Sequence, residues 1–253
     1  MVRLAVCNPR ITAARSEGMA RLPRIDIPGL PQHLVIRGNN RAELFRDDAD
    51  RHIFLGLMQE ALDQCACDLH AYVLMTNHVH LLATPHLPGE LSELVQRIGR
   101  KFARLINLRW QRTGTLFEGR FRSSLVDSET YLLTCMRYVE LNPVRARMVA
   151  HPSHYFWSSY RENATGHPRA PLVPHGLYRR LGTTDEARGR TYRALVDGGV
   201  EDADLLRIRT SSAQCRALGP EQFCVQMGAS LQRCIAPRKP GRPRKRGQVE
   251  KRT

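Results

Sequence analysis

Thirteen residues, Ala71-Tyr-Val-Leu-Met-Thr-Asn-His-Val-His-Leu-Leu-Ala83, restrict the fold of this chain more than any other stretch. They are apolar and β-prone on both sides of the polar pair Thr76-Asn77, so they predict a strand over 69–75, a tight turn, and a second strand over 78–84. Strands joined this closely pair antiparallel. Side chains two apart on a strand share a face, so His78 and His80 project side by side while Val79 points the other way. Two imidazoles on one rigid face form half of a metal site. Tyr138 and Asn142, on a helix further along, are candidates for the other half. Taken alone, a histidine in a strand is more often a hydrogen-bonded structural residue than a ligand.

The rest of the pattern places that hairpin in a sheet. Residues 32–38 read as a short strand ending at the turn signal Gly38-Asn-Asn-Arg41. Asp47 or Asp48 caps a predicted helix reaching about Gln64, with Ile53, Leu57, Met58 and Leu62 on one face. A long helix is expected from Glu90 to about Gln111, a strand over 116–126 bent at Gly119, and a helix from Ser128 to about Asn142, stopped by Pro143. The order β-α-β-β-α-β-α predicts an α+β fold, an antiparallel sheet with helices covering one face around a split βαβ, ferredoxin-like core.

The main domain is expected over 23–165. It is followed by a mostly helical accessory region over 166–235 and a basic tail over 236–253, rich in Pro and Gly and disordered when free. Residues 1–22 read as unstructured. Met19 is an alternative start, which would make the first 18 residues an artefact of gene prediction; an intact mass of native protein that includes them overturns that expectation.

Charge narrows the partner. The formal net charge is +15 and the isoelectric point about 10.2. The last 18 residues hold eight Lys or Arg and one Glu, a net of +7, which leaves +8 of the +15 on the remainder. A basic body with a more basic tail favours a polyanion, nucleic acid before a membrane surface; the plainer reading is a merely soluble basic protein. No stretch is apolar enough to span a membrane and the N-terminus lacks a secretory signal, so the expected location is the cytoplasm, in association with the bacterial nucleoid. The seven scattered cysteines, with only Cys65 and Cys67 close together, read as reduced thiols.

Four segments, the hairpin among them, fall in a characteristic order: YVLMTNHVHLLATP (72–85), GTLFEGRFRSSLVDSETYLL (114–133), RYVELNPVRARMV (137–149) and WSSY (157–160), after an opening RLPRIDIPGLPQHLVIRGNNR (21–41). Together they resemble the IS200-like Y1 transposases, in particular the REP-associated tyrosine transposases, over roughly residues 21–165. That family is built on the HUH endonuclease fold, U being a bulky apolar residue; His78, Val79 and His80 fill the three places. The resemblance implies that His78 and His80 hold a divalent metal, Mg²⁺ or Mn²⁺, against a scissile phosphate, and that Tyr138 is the nucleophile. Positions i and i+4 of a helix share a face, so Asn142 is expected either as a third metal ligand or as a cap of the helix end. Tyr131, seven residues earlier, competes with Tyr138 for the nucleophile's role, and Glu140 lies off that face as a structural or solvated residue.

The implied chemistry is cleavage of single-stranded hairpin DNA through a covalent 5′-phosphotyrosine, followed by resealing with a second 3′-hydroxyl. Relatives act as homodimers or monomers. Competing readings are a DNA-binding regulatory protein that keeps the fold without transposition, and a metal-dependent nuclease using water.

Three groups of residues are expected to meet DNA. Arg97, Arg100, Lys101, Arg104 and Arg109 line the long helix, either as a strand-binding surface or as a solvated face. Arg120-Phe121-Arg122 interleaves an aromatic with cations, suited to base stacking plus phosphate contact, with Phe121 equally placed to be core. Trp157 and Tyr160 are either packing or stacking residues, with packing favoured. In the tail, Arg242, Arg244, Lys245 and Arg246 surround a Gly-Arg-Pro core that resembles an AT-hook, implying contact with A·T-rich duplex through the minor groove; the plainer reading is a counterion-releasing tail.

Overall fold

The computed structural model describes residues 24–166 and 171–237. The expectations for residues 1–22 and for the tail cations Arg242, Arg244, Lys245 and Arg246 therefore lie outside the described residues.

Four strands form one antiparallel sheet: β1 (Gln32–Arg37), β2 (Cys67–Met75), β3 (His78–Pro85) and β4 (Arg122–Leu125), in the spatial order β2-β3-β1-β4. Thr76 and Asn77 form the turn between Met75 and His78, which pair directly. Two helices, α1 (Asp48–Leu62) and α2 (Glu90–Arg109), complete a β-α-β-β-α-β core with β1 and β3 in the centre, so the expected split βαβ architecture is present.

Pairing partners in an antiparallel sheet share a face. The register Val35 to His80, Arg37 to His78 and His33 to Leu82 therefore puts His33, Val35, Arg37, His78 and His80 on one face, and Leu34, Ile36, Val79 and Leu81 on the other. The apolar face is covered by α1 and α2. On α2 the buried positions Leu91, Leu94, Val95, Ile98, Phe102 and Ile106 follow the three-and-four spacing of an amphipathic helix. Phe102 meets Phe54 of α1 edge-on, ring centroids 5.1 Å apart. Asp47 caps α1 by accepting the Asp50 amide at 3.1 Å.

Several expectations change. The helices do not all cover one face: α3 (Ser128–Glu140) and α8 (Asp202–Gln214) reach the histidine face, because the chain after β4 crosses to the other side. On α1 the fully buried apolar residues are Phe54 and Met58, whereas Ile53, Leu57 and Leu62 are half-buried; the helix is rotated to seat Phe54 among aromatic neighbours. The strand expected over 116–126 contracts to β4, since Gly119 turns with φ of +90°. The helix expected to run through Asn142 stops at Glu140. A separate turn, α4 (Asn142–Arg145), follows, and Pro143 sits in its first turn, where a missing N–H costs nothing.

The later chain is helical: α5 (Tyr160–Thr165), α6 (Gly176–Arg179), α7 (Asp185–Asp197), α8 and α9 (Glu221–Ser230). It is not laid on a finished core. Tyr178 and Tyr192 are fully buried in the main cluster with Leu81 and Phe102. The backbone of residues 157–159 pairs with the outer edge of β2, through Leu74 N to Trp157 O at 2.9 Å and Ser159 N to Tyr72 O at 3.0 Å. Leu218 pairs with the end of β4, its N–H donating to Leu125 O at 2.7 Å. Both edges of the sheet are thus covered by chain beyond residue 150. No described helix is long and apolar enough to cross a membrane. The six described cysteines are free, and burial pushes the Cys67 thiol up to about 12.

Candidate functional site

The histidine face of β3 and the inner face of α3 meet at one point. The His80 and Tyr138 rings are edge-on with centroids 5.8 Å apart, and His78 and His80 are 4.9 Å apart. Tyr138 keeps 7% of its surface exposed and His80 5%, so both are enclosed yet reach a common opening. Tyr131 is buried elsewhere on α3, its hydroxyl accepting from Arg207 at 2.5 Å, and has no ring contact with either histidine.

Each histidine has its Nδ1 occupied. Asn77 Nδ2 donates to Arg41 O at 3.0 Å, which turns its Oδ1 toward His78; His78 Nδ1–H donates to that oxygen at 2.7 Å. His80 Nδ1 lies 2.7 Å from His33 Nε2. The Nε2 atoms remain for another partner. Burial, then Arg37, lowers His78 to about 4, and burial, then the adjoining His33 and His78 and more weakly Arg145 and Arg37, holds His80 well below the ordinary histidine value. Both imidazoles are therefore neutral at pH 7, the state a metal requires of a nitrogen ligand. Two neutral imidazoles with free Nε2 atoms fit a divalent ion with open positions for oxygen ligands. Among the described residues no group of three or more His, Cys, Asp or Glu could hold one.

Asn142 is close to the tyrosine in another way. Its Nδ2 donates to the carbonyls of Tyr138 (3.0 Å) and Val139 (3.3 Å), and its Oδ1 accepts from Arg145 at 2.8 Å. The Arg145 guanidinium in turn lies 4.1 Å over the Tyr138 ring. Both ends of the amide are engaged, so Oδ1 would have to leave Arg145 to become a ligand. Glu140 is fully buried, accepting from Ser159 Oγ (2.6 Å), Asn163 Nδ2 (2.8 Å) and Tyr192 OH (2.6 Å), which makes it structural rather than solvated.

His80 and Tyr138 open onto a cavity of about 550 Å³ whose described lining includes seven arginines, among them Arg37, Arg120, Arg122, Arg209 and Arg216, against one carboxylate, Glu118. A second cavity of about 630 Å³ adjoins it, lined by Arg100, Phe117 and Gln96. Arg120 and Phe121 border both, and Arg24 stacks 3.7 Å over the Phe121 ring.

The long helix is divided in its use of charge. Arg97 pairs with Glu93 (2.8 Å) and bonds Gln64, Lys101 pairs with Glu60 at 2.5 Å, and Arg109 pairs with Asp47 and Asp50. Arg100 faces the second cavity, and Arg104 is exposed outside both. Trp157 and Tyr160 are buried packing residues.

Sequence reasoning missed His33, Arg145 and Ser212. His33 was detectable in principle, since alternation in 32–37 puts it with Val35 and Arg37; its contact with His80 depends on the register between β1 and β3. Ser212 carries no local signal.

The site is thus a split βαβ sheet with paired histidines on a central strand, beneath a tyrosine-bearing helix. Residues 27–142 match the family described as "Transposase IS200 like". Among solved structures, the chain resembles a REP-associated tyrosine transposase bound to a REP hairpin, at 17% identity and a TM-score of 0.51, covering 62% of this chain and 89% of that one. This likeness is one of fold. A Deinococcus radiodurans R1 crystal structure with a provisional transposase assignment matches at 18% identity and a TM-score of 0.32, over 50% of this chain and 96% of that one. No curated protein matches the chain.

Proposed function

We propose that this protein is a metal-dependent single-stranded DNA endonuclease and strand transferase in which Tyr138 is the nucleophile. One observation carries the reading: the Tyr138 ring faces His80 on the floor of an arginine-lined cavity. The Tyr138 oxygen attacks a backbone phosphorus and its proton passes to water in the cavity. The bond from phosphorus to the 3′-oxygen breaks, and that oxygen leaves as a 3′-hydroxyl after taking a proton from water. The product is a 5′-phosphotyrosine, and attack by a second 3′-hydroxyl reverses the step.

His78 and His80 would hold a divalent metal, each offering the nitrogen that its hydrogen bond leaves unused. A bound divalent ion would polarise the phosphate and offset charge developing on it. Imidazole suits Mn²⁺ better than Mg²⁺. Arg145 lies above the tyrosine ring, where its charge faces the incoming phosphate, and Asn142 holds Arg145 and the end of α3 in register. Arg120, Phe121 and Arg122 guide the strand along the two cavities, with Arg100 at the far end. Arg97 and Lys101 serve the α1–α2 seam.

The substrate class is hairpin or REP-like single-stranded DNA, supported by the hairpin bound to the structural neighbour. The AT-hook-like tail would add affinity for A·T-rich duplex. The enzyme works as a monomer or a homodimer.

The test uses purified full-length protein, 5′- and 3′-labelled single-stranded hairpin DNA from beside its own gene, and Mn²⁺ or Mg²⁺ on a denaturing gel. A metal-dependent adduct retaining the DNA 3′ of the cut, lost in Tyr138→Phe and His78→Ala, is the expected result. Cleavage without an adduct makes water the nucleophile. Binding without cleavage points to a regulatory protein.

A further inference from the structure

We propose that His33 is a positioning residue that holds His80 in its Nδ1–H tautomer, Nε2 lone pair toward the cavity, and that Ser212 of α8 holds His33 in turn. The metal consequence of this arrangement rests on the proposed two-imidazole metal site; the tautomer itself does not.

His33 is fully buried, and both its ring nitrogens are used: Nε2 lies 2.7 Å from His80 Nδ1, and Nδ1 lies 2.9 Å from Ser212 Oγ. The two imidazoles are within 9° of parallel, and the His33 ring also meets Tyr138 edge-on at 5.7 Å. One buried ring thus touches both groups assigned to the chemistry, and packing fixes its orientation.

The chain of hydrogen bonds can run in two directions. In one, His80 Nδ1–H donates to His33 Nε2 and His33 Nδ1–H donates to Ser212 Oγ, leaving His80 Nε2 bare. In the other, Ser212 Oγ–H donates to His33, His33 Nε2–H donates to His80, and His80 carries its proton on Nε2, where no metal can bind. The surroundings select the first. The cavity that His80 faces is lined by Arg37, Arg122 and Arg209, and a lone pair directed at cations is favoured over an N–H dipole directed at them. Removing the Ser212 hydroxyl reverses the preference. His33 Nδ1–H would then be a buried donor without an acceptor, and moving that proton to Nε2 relieves it while forcing His80 to protonate Nε2.

Ser212 lies well beyond residue 142, where the match to the transposase family ends. Through His33 the later helices set the chemical state of a residue on the central strand. Partners of this kind fix a ligand's tautomer and ring orientation.

Long-range ¹H–¹⁵N correlation spectra of metal-free, full-length protein at neutral pH read the tautomers directly. The expected spectrum has His80 and His33 both protonated on Nδ1. Ser212→Ala shifts His80 toward Nε2–H, and Ser212→Thr, which keeps the hydroxyl, restores the first form. Mn²⁺ titrated alone and followed by electron paramagnetic resonance then binds about 10- to 100-fold more weakly to His33→Leu. His33→Gln, which can accept from His80 and donate to Ser212, recovers most of that loss. If His33→Leu does not fold, the two Ser212 variants decide the matter. An Nε2–H His80 in the wild type, or a tautomer indifferent to Ser212→Ala, overturns the proposal. If the wild type takes up no Mn²⁺, the two-imidazole metal reading falls while the spectra still decide the relay.

Discussion

Tyr138 and Glu140 stand two residues apart on α3, both buried, in opposite surroundings. Glu140 sits in a sealed cluster where Ser159, Asn163 and Tyr192 direct donors at its two oxygens. Around Tyr138 the hydrogen bonds of His33, His78 and His80 use each Nδ1, while Nε2 of His78 and of His80 is left for another partner beside an arginine-lined cavity. Burial of a polar group is therefore a poor guide to its role. A cluster whose capacity is used up serves the fold; one with capacity left over, beside an opening, is available for chemistry.

The sharpest way to break this contrast is Tyr138→Phe. It should reduce adduct formation by about 10⁴-fold or more, since it removes the attacking atom, and leave the melting temperature nearly unchanged. Glu140→Ala should do the reverse. It strands three buried donors and leaves a void, for a stability loss of about 3–5 kcal/mol in chemical denaturation, and any activity change should follow the folded fraction. A wild-type result for both variants would erase the distinction between the clusters.

Acidity tests the sealed cluster next. Burial raises the Glu140 carboxyl to about 7 against an unfolded value of 4.5. Its contribution is fully present below pH 4.5 and is lost as pH rises through about 7, a change on the order of 3 kcal/mol. Glu140→Gln should flatten that part of the stability profile. His70 of β2, outside both clusters and bonded to Val173 O (2.7 Å) and Thr84 Oγ1 (2.8 Å), has the opposite sign: burial lowers it to about 4, so its contribution is present above pH 6.5 and lost as pH falls through about 4, which His70→Gln should reveal.

The smallest effect sharpens the division of charge on and around α2. Arg120→Ala and Arg122→Ala should each weaken single-strand binding and lower the slope of log affinity against log salt by roughly 0.7, the change expected when a cation no longer neutralises one phosphate. Arg97→Ala and Lys101→Ala, whose charges are already paired, with Glu93 on α2 and with Glu60 on α1, should leave that slope unchanged.

What could be read from sequence was local or carried by ordered segments. The hairpin of β2 and β3 follows from alternation across Thr76-Asn77, and the shared face of His78 and His80 follows from the pleat. The contact between His33 and His80, 47 residues apart, needs the β1–β3 register, and Ser212 enters only when α8 crosses the sheet. The cations of α2 look alike in sequence. Which of them meet carboxylates of α1 depends on how two helices pack, and so the five arginines and lysines expected to act together divide into separate roles. Asn142 had two readings on local grounds, and the position of Arg145 now engages its oxygen.

The covered edges of the sheet have a consequence for the order of events during synthesis. Residues 27–142 emerge from the ribosome with the outer side of β2 and the end of β4 still unpaired, and the segments that cover them, 157–159 and Leu218, are translated later. At typical rates of about 5–20 residues per second, roughly 4–15 seconds separate residue 142 from residue 218. During that interval both edges of the nascent sheet keep open hydrogen-bonding groups, and the arrival of residues 157–159 and then Leu218 ends the exposure.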